Sequence, residues 1–157
     1  MPRDPSRLPA YLADARDRVI VELQRIVPAD TARTGGLYAL MMDYPMREAK
    51  ALRPALAIAT CRALGGRLDQ VLPSAAVLEL FHNAFLVHDD IYDGSELRRG
   101  GPTLHRAHGV PVAINTGDGM LALALQPLLD NMADIGLSRA LRVLDVVARM
   151  ARESAEG

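Results

Sequence analysis

The sequence predicts an all-α protein, and three observations carry that prediction. Ala, Leu and Arg dominate the composition; runs that alternate β-branched and polar residues do not occur; and apolar residues recur at spacings of three and four. With 157 residues, half of them hydrophobic, the chain is long enough to bury one real core, so a single helical domain over residues 1–157 is expected.

Leu8, Leu12, Ala15, Val19, Leu23 and Ile26 line one face of a first amphipathic helix that stops near Pro28, with a charged and solvated opposite face. A second helix covers Leu37 to Met42 and ends before Pro45, because the residue preceding a proline is pushed out of helical geometry. A third runs from Arg53 or Pro54 to Leu64, with the Gly65-Gly66 pair as its stop. The fourth is expected to be central, with Asp69 as its cap, Pro73 in its first turn and an apolar stretch that continues to Tyr92 before Gly94. A loop, SELRRGGPTLHRAHG, follows, and then two helices, from about Val112 to Met132 and from Leu137 to the end, separated by a turn at Gly136.

Net charge is −1 with 24% charged residues, so no overall field favours nucleic acid or an anionic membrane. The single cysteine, Cys61, reads as a buried thiol of a reducing compartment. The first residues lack the apolar region of a signal peptide, and apolar runs such as MLALALQPLL are too short and interrupted to span a bilayer, so a cytoplasmic protein is expected. Seventeen of the eighteen basic residues are arginine, which singles out Lys50 as the only lysine.

On the fourth helix, at roughly 100° per residue, Glu79, His82, Leu86, Asp89 and Asp93 fall within about 80° of one another and Asp90 lies just beside them. Three carboxylates, a histidine and a glutamate are therefore expected to look into one cleft. Acids spaced i, i+4 repel by about 0.2–0.5 kcal/mol, and each acid in a last turn opposes the helix dipole by about 0.3–1 kcal/mol. Read alone, DDIYD fits an early-fraying, solvated helix end as well as it fits a metal site. A divalent cation offsets the repulsion, and Mg²⁺ typically combines one or two carboxylates with phosphates and waters. Phe81 and Phe85, the only phenylalanines, precede Asp89 by two turns and one turn; they read as ordinary core packing or as an apolar floor beneath a metal-bound head group. Arg98 and Arg99 precede Gly100-Gly101-Pro102, where a loop can close over phosphate, and Lys50 and Arg53 flank a helix start that itself favours anions.

Taken together, KALRPAL, ELFHNAFLVHDDIYDGSELRRGGPTLHRAHG and AINTGD, in that order, resemble the polyprenyl synthetase family of trans-isoprenyl diphosphate synthases, over about Lys50 to Gly119. The resemblance implies the amino-terminal half of the isoprenoid synthase helical bundle and a Mg²⁺-dependent prenyltransferase. It implies that Asp89 and Asp93, supported by Asp90, hold Mg²⁺ on an allylic prenyl diphosphate, and that Arg98 contacts the same diphosphate. Lys50, Arg53, His82 and Arg99 match positions that hold isopentenyl diphosphate. Head-to-tail elongation would follow without a protein nucleophile, and a homodimer is implied as well. Phe85 below Asp89 points to products of fifteen or twenty carbons.

Two departures stand out. Glu48-Ala49 replaces the Gly-Gly pair that the family usually carries before its lysine, which alters the local backbone contact. Family chains are about twice as long, and their second half supplies another aspartate-rich motif. Residues 1–157 alone are therefore expected to show little or no condensing activity. A class I terpene cyclase shares an aspartate-rich helix but needs no second diphosphate pocket, against which Lys50, Arg53 and the RRG loop argue. A non-catalytic or split subunit that completes an enzyme with a partner chain is the remaining alternative.

Overall fold

In a computed structural model that describes residues 6–156, the chain is helical apart from one small hairpin. The helices are α1 (Arg7–Ile26), α2 (Leu37–Met46), α3 (Leu52–Ala63), α4 (Leu68–Tyr92), α5 (Leu104–His108), α6 (Val110–Leu123), α7 (Leu125–Asp130), α8 (Met132–Ile135) and α9 (Leu137–Glu156). The strands β1 (Leu97–Arg98) and β2 (Gly101–Pro102) pair antiparallel between α4 and α5.

Helix α4 is the axis of the fold and packs against α1, α2, α3, α5, α6 and α7. It is apolar nearly all round, as a helix enclosed by neighbours must be, and Ala75, Ala76, Val77, Leu80 and Ala84 are completely buried. Ala15, Val19 and Leu23 of α1 and Ile58 of α3 complete one side of the core, and Met120 and Leu128 the other. A smaller cluster of Tyr44, Val87, Leu104 and Ala113 seals the far end of α4 beneath its acids. Close approach of α6 depends on Gly117, where a Cβ would stand 2.4 Å from Nε2 of His88.

The structure moves several expected boundaries. Helix α2 continues through Pro45 to Met46; only its last turn contains the proline, so one missing N–H is the cost, and Tyr44 and Pro45 are both buried there. Asp69 is not a cap: α4 starts at Leu68 behind an extended Arg67, Asp69 pairs with the Arg67 guanidinium, and Pro73 lies in the second turn. The loop after Gly94 contains a hairpin and a short helix. The helix expected to run unbroken to Met132 divides at Ala124, where Pro127 cannot donate to the preceding turn, and again at Asn131, giving α6, α7 and α8. Cys61 is half-buried rather than enclosed, with its Sγ 3.8 Å from the Arg67 carbonyl oxygen.

The expectation that apolar runs such as MLALALQPLL are too short to span a bilayer does not extend to α4. Helix α4 has 25 residues and a mean hydropathy of 1.3 over its most apolar window, enough by length and composition to cross a membrane. In this fold 56% of that window is buried inside the protein, and the helix serves as the core around which the others pack.

Candidate active site: two cavities against one helix

The acids at the end of α4 do not share one cleft. Asp89 and Asp93 are exposed, one turn apart, and neither carboxylate has a hydrogen-bond or ion-pair partner among the described residues. Asp90 turns the other way and is completely buried. It accepts the Tyr44 hydroxyl at 2.6 Å and takes Nε and Nη2 of Arg98, the Nε contact at 3.0 Å. The Tyr44 oxygen in turn accepts the Leu104 amide at 3.1 Å. Burial, followed by the carboxylate beside it, raises the Tyr44 hydroxyl above its ordinary pKa, so it stays protonated and donates to Asp90. Three carboxylates in one cleft therefore become two, with the third acting as an internal anchor.

Glu79 also leaves the expected cleft. It is buried, accepts Nδ2 of Asn83 at 2.9 Å, and lies on the wall of a cavity of about 300 Å³ lined by Lys50, Arg53, His82, Arg99 and Glu48. The four residues read as diphosphate binders thus converge, although 49 positions separate Lys50 from Arg99. Burial lowers the Arg99 guanidinium from its usual value, and Glu79 acts against that shift; a guanidinium in such surroundings remains a cation. Arg99 is held by donating to the Tyr44 carbonyl at 2.7 Å and to Oδ1 of Asn83 at 3.2 Å. The Glu48-Ala49 pair needs no glycine geometry: among the described non-glycine residues, positive φ occurs at Ala51 and Arg99.

A second cavity, about 360 Å³, lies across the wall formed by Arg53 and His82, both of which line it too. Phe81, Phe85 and Leu86 form its apolar side on α4, Met150 faces them from α9, and Asp89 stands at its rim. Phe81 is buried and Phe85 half-buried, with ring centroids 6.3 Å apart. A larger, more open groove of about 670 Å³ runs on the far side of Lys50, between α1 and residues 46–50, but it meets only one residue of the basic set.

Nε2 of His82 is 3.3 Å from Nη1 of Arg53. A guanidinium can only donate, so Nε2 is the accepting nitrogen and the imidazole is neutral with its proton on Nδ1. Burial, reinforced by the cations of Arg53, Arg99 and Arg98, lowers its pKa to about 4.

Asp89 and Asp93 are exposed one turn apart, with Asp89 at the rim of the apolar cavity, and together offer hard oxygen donors on one side. Among the described residues no group of three His, Cys, Asp or Glu side chains converges on an ion. Two carboxylates with the remaining positions left to water and phosphate suit Mg²⁺ chemistry, so the residues present fit such an ion as one wall of its site. Arg98 lies beside them, with Nη1 unpartnered among the described residues.

Tyr44, Arg47 and Asn83 hold this arrangement together and were not singled out in the sequence. The arginine bias was the available signal, since Arg47, Arg53, Arg98 and Arg99 all meet here.

The Polyprenyl synthetase family matches residues 36–157. A geranylgeranyl pyrophosphate synthase of Geoglobus acetivorans is 37% identical over 122 residues, which is 78% of this chain and 38% of the relative. A dimethylallyltranstransferase of Fischerella ambigua is 34% identical over 139 residues, 87% of this chain and 40% of the relative. The crystal structure of geranylgeranyl pyrophosphate synthetase from Pyrococcus horikoshii superposes with a TM-score of 0.88 at 32% identity, covering 96% of this chain and 45% of that one. The chain spans about 40% of the length of the curated relatives it matches. With the family matched across most of its length and the helical core superposing so closely, the chain belongs to the polyprenyl synthetase family.

Proposed function

We propose that this chain provides the substrate-binding wall of a prenyltransferase that condenses isopentenyl diphosphate with an allylic prenyl diphosphate. The observation that carries the proposal is the pair of adjoining cavities, one basic and one apolar with the Asp89 carboxylate at its rim, divided by Arg53 and His82. In this reading Lys50, Arg53 and Arg99 grip the diphosphate of isopentenyl diphosphate by charge-assisted hydrogen bonds. Neutral His82 orients Arg53 without adding a fourth cation. The prenyl tail of the allylic substrate lies along Phe81 and Phe85, and its diphosphate meets Asp89, Asp93 and Arg98. Mg²⁺ held by Asp89 and Asp93 would neutralise charge on the departing diphosphate and so lower the barrier to ionisation. Asp90 takes no part in binding; it fixes Arg98.

Each cavity positions one substrate, which brings the isopentenyl double bond toward the allylic carbon by proximity rather than by a protein nucleophile. The floor at Phe85 limits the product to fifteen or twenty carbons. A homodimer, a cytoplasmic setting and the absence of a membrane span belong to the same proposal. The exposed Val110, Val112 and Ile114 of α6 support an interface, and the enclosure of α4 argues against a span. A terpene cyclase leaves the basic cavity without a ligand, so the prenyltransferase accounts for more of the site.

Three measurements test this reading. Calorimetric titration of the chain with isopentenyl diphosphate should detect binding that Lys50→Ala and Arg53→Ala each weaken by about 10–100-fold, the range of a lost charged hydrogen bond; unchanged affinity in both would reject the basic cavity. NMR titration of the His82 ring should give a midpoint near 4, below the ordinary 6.5. Because the folded value is depressed, the stability that His82 contributes is complete above pH 6.5 and is lost as pH falls from 6.5 toward 4; a midpoint at or above 6.5 contradicts the buried neutral imidazole. Phe85→Ala should shift the preference of the chain toward longer prenyl diphosphates when ten-, fifteen- and twenty-carbon ligands are compared with Mg²⁺ present, whereas an unaltered preference removes the floor.

A further inference from the structure

Arg47 lines neither cavity, yet every nitrogen of its guanidinium is engaged. Nε pairs with Oδ1 of Asp43 at 2.6 Å. Nη1 donates to the Arg98 carbonyl at 2.7 Å and Nη2 to the Pro102 carbonyl at 2.9 Å, so one planar fork spans both strands of the β1–β2 hairpin. Its central carbon sits 4.8 Å from the centroid of the Tyr44 ring, and only 17% of the side chain is exposed. Gly101 makes room for it: a Cβ there would approach the guanidinium carbon to 3.1 Å.

The hairpin needs such a clamp. Its tip is Arg99-Gly100, with φ of 50° and 79°, the pattern of a two-residue primed turn. Arginine is a strained choice for the first of these positions, where asparagine or glycine is usual. Two strands of two residues each supply few ladder bonds to hold that strain. The tip nonetheless has to send neighbouring side chains apart, Arg98 to Asp90 beside the exposed acids and Arg99 to Asn83 and the basic cavity.

We propose that Arg47 is a positioning residue that fixes the hairpin so that Arg99 faces the basic cavity while Arg98 stays on Asp90, next to the Asp89 rim of the apolar cavity, without itself touching a ligand. The proposal rests on the reading of those cavities as diphosphate sites. Lysine cannot replace Arg47 in this role, because a single ammonium on a flexible stem cannot bridge the Arg98 and Pro102 carbonyls in fixed directions while keeping an ion pair with Asp43.

The test compares Arg47→Lys, Arg47→Ala and Gly101→Ala in the 157-residue chain, with circular dichroism and melting temperature as controls for folding. Inorganic pyrophosphate affinity is measured by calorimetry, and backbone ¹⁵N order parameters are measured for residues 97–102. The expected result is a loss of affinity of roughly tenfold or more in all three variants, with no rescue by lysine. Order parameters at 97–102 should fall from about 0.85 to below about 0.6 while those of α4 hold. Gly101→Ala keeps Arg47 intact, so it judges the clamp even where an Arg47 variant folds poorly. Recovery of affinity and order by Arg47→Lys would reduce Arg47 to a source of charge and overturn the proposal, as would unchanged order at 97–102 in all three variants. If the parent chain binds no pyrophosphate, the diphosphate reading of the cavities fails, and the order parameters alone decide for or against the clamp.

Discussion

Everything at the working end of this protein depends on the burial of Asp90. A carboxylate with no exposure is tolerated only when its lone pairs are met, and here Tyr44 and Arg98 meet them from two different elements. Breaking such a pair by removing one partner costs about 3–5 kcal/mol, because a charge is left buried without compensation. The contact therefore locks α2, α4 and the hairpin into one arrangement. It also sets the rotational phase of the end of α4. With Asp90 facing inward, residues one position before and three positions after it, Asp89 and Asp93, face outward at roughly 100° per residue. One buried acid thus determines where two exposed acids stand.

The same constraint organises the cations. Arg98 is drawn to Asp90, and the strained turn that follows sends Arg99 the other way, to Tyr44 and Asn83. Lys50 arrives from just before α3, Arg53 from its first turn, and His82 from α4 about two turns before Asp89. Because Arg53 and His82 face both cavities, their hydrogen bond acts as a partition. Burial disfavours a charged imidazole here, and three neighbouring guanidinium groups add their repulsion, which together hold its pKa low. The wall stays neutral on one member and cationic on the other across ordinary pH.

Much of the fold was legible because helix periodicity and composition are local properties. The central place of α4 followed from its apolar circumference, and the basic set Lys50, Arg53, His82 and Arg99 followed from the family resemblance. A helical wheel does not say which neighbour covers each face, and this is why Asp90 and Glu79 were expected in a cleft that they do not enter. Tyr44 reaches Asp90 across 46 positions, Arg47 reaches Arg98 across 51, and Arg99 reaches Tyr44 across 55. Such contacts leave no periodic trace. The hairpin was hidden for a different reason, since two-residue strands built on Leu-Arg and Gly-Pro carry no alternation to detect. Two prolines misplaced boundaries in opposite directions: at Pro45 burial outweighed the loss of one backbone bond and α2 ran on, whereas at Pro127 the missing donor broke a helix expected to be continuous.

The proposed function requires that the Arg53–His82 contact separate two diphosphate sites that differ in their need for a metal. Phosphorus NMR of the chain with isopentenyl diphosphate and a non-ionising prenyl diphosphate analogue, recorded with and without Mg²⁺, tests it directly. The account predicts that isopentenyl diphosphate binds in either condition, that the analogue binds only when Mg²⁺ is present, and that both are then bound at once. Mutual displacement of the two ligands, or the same Mg²⁺ dependence for both, would contradict it.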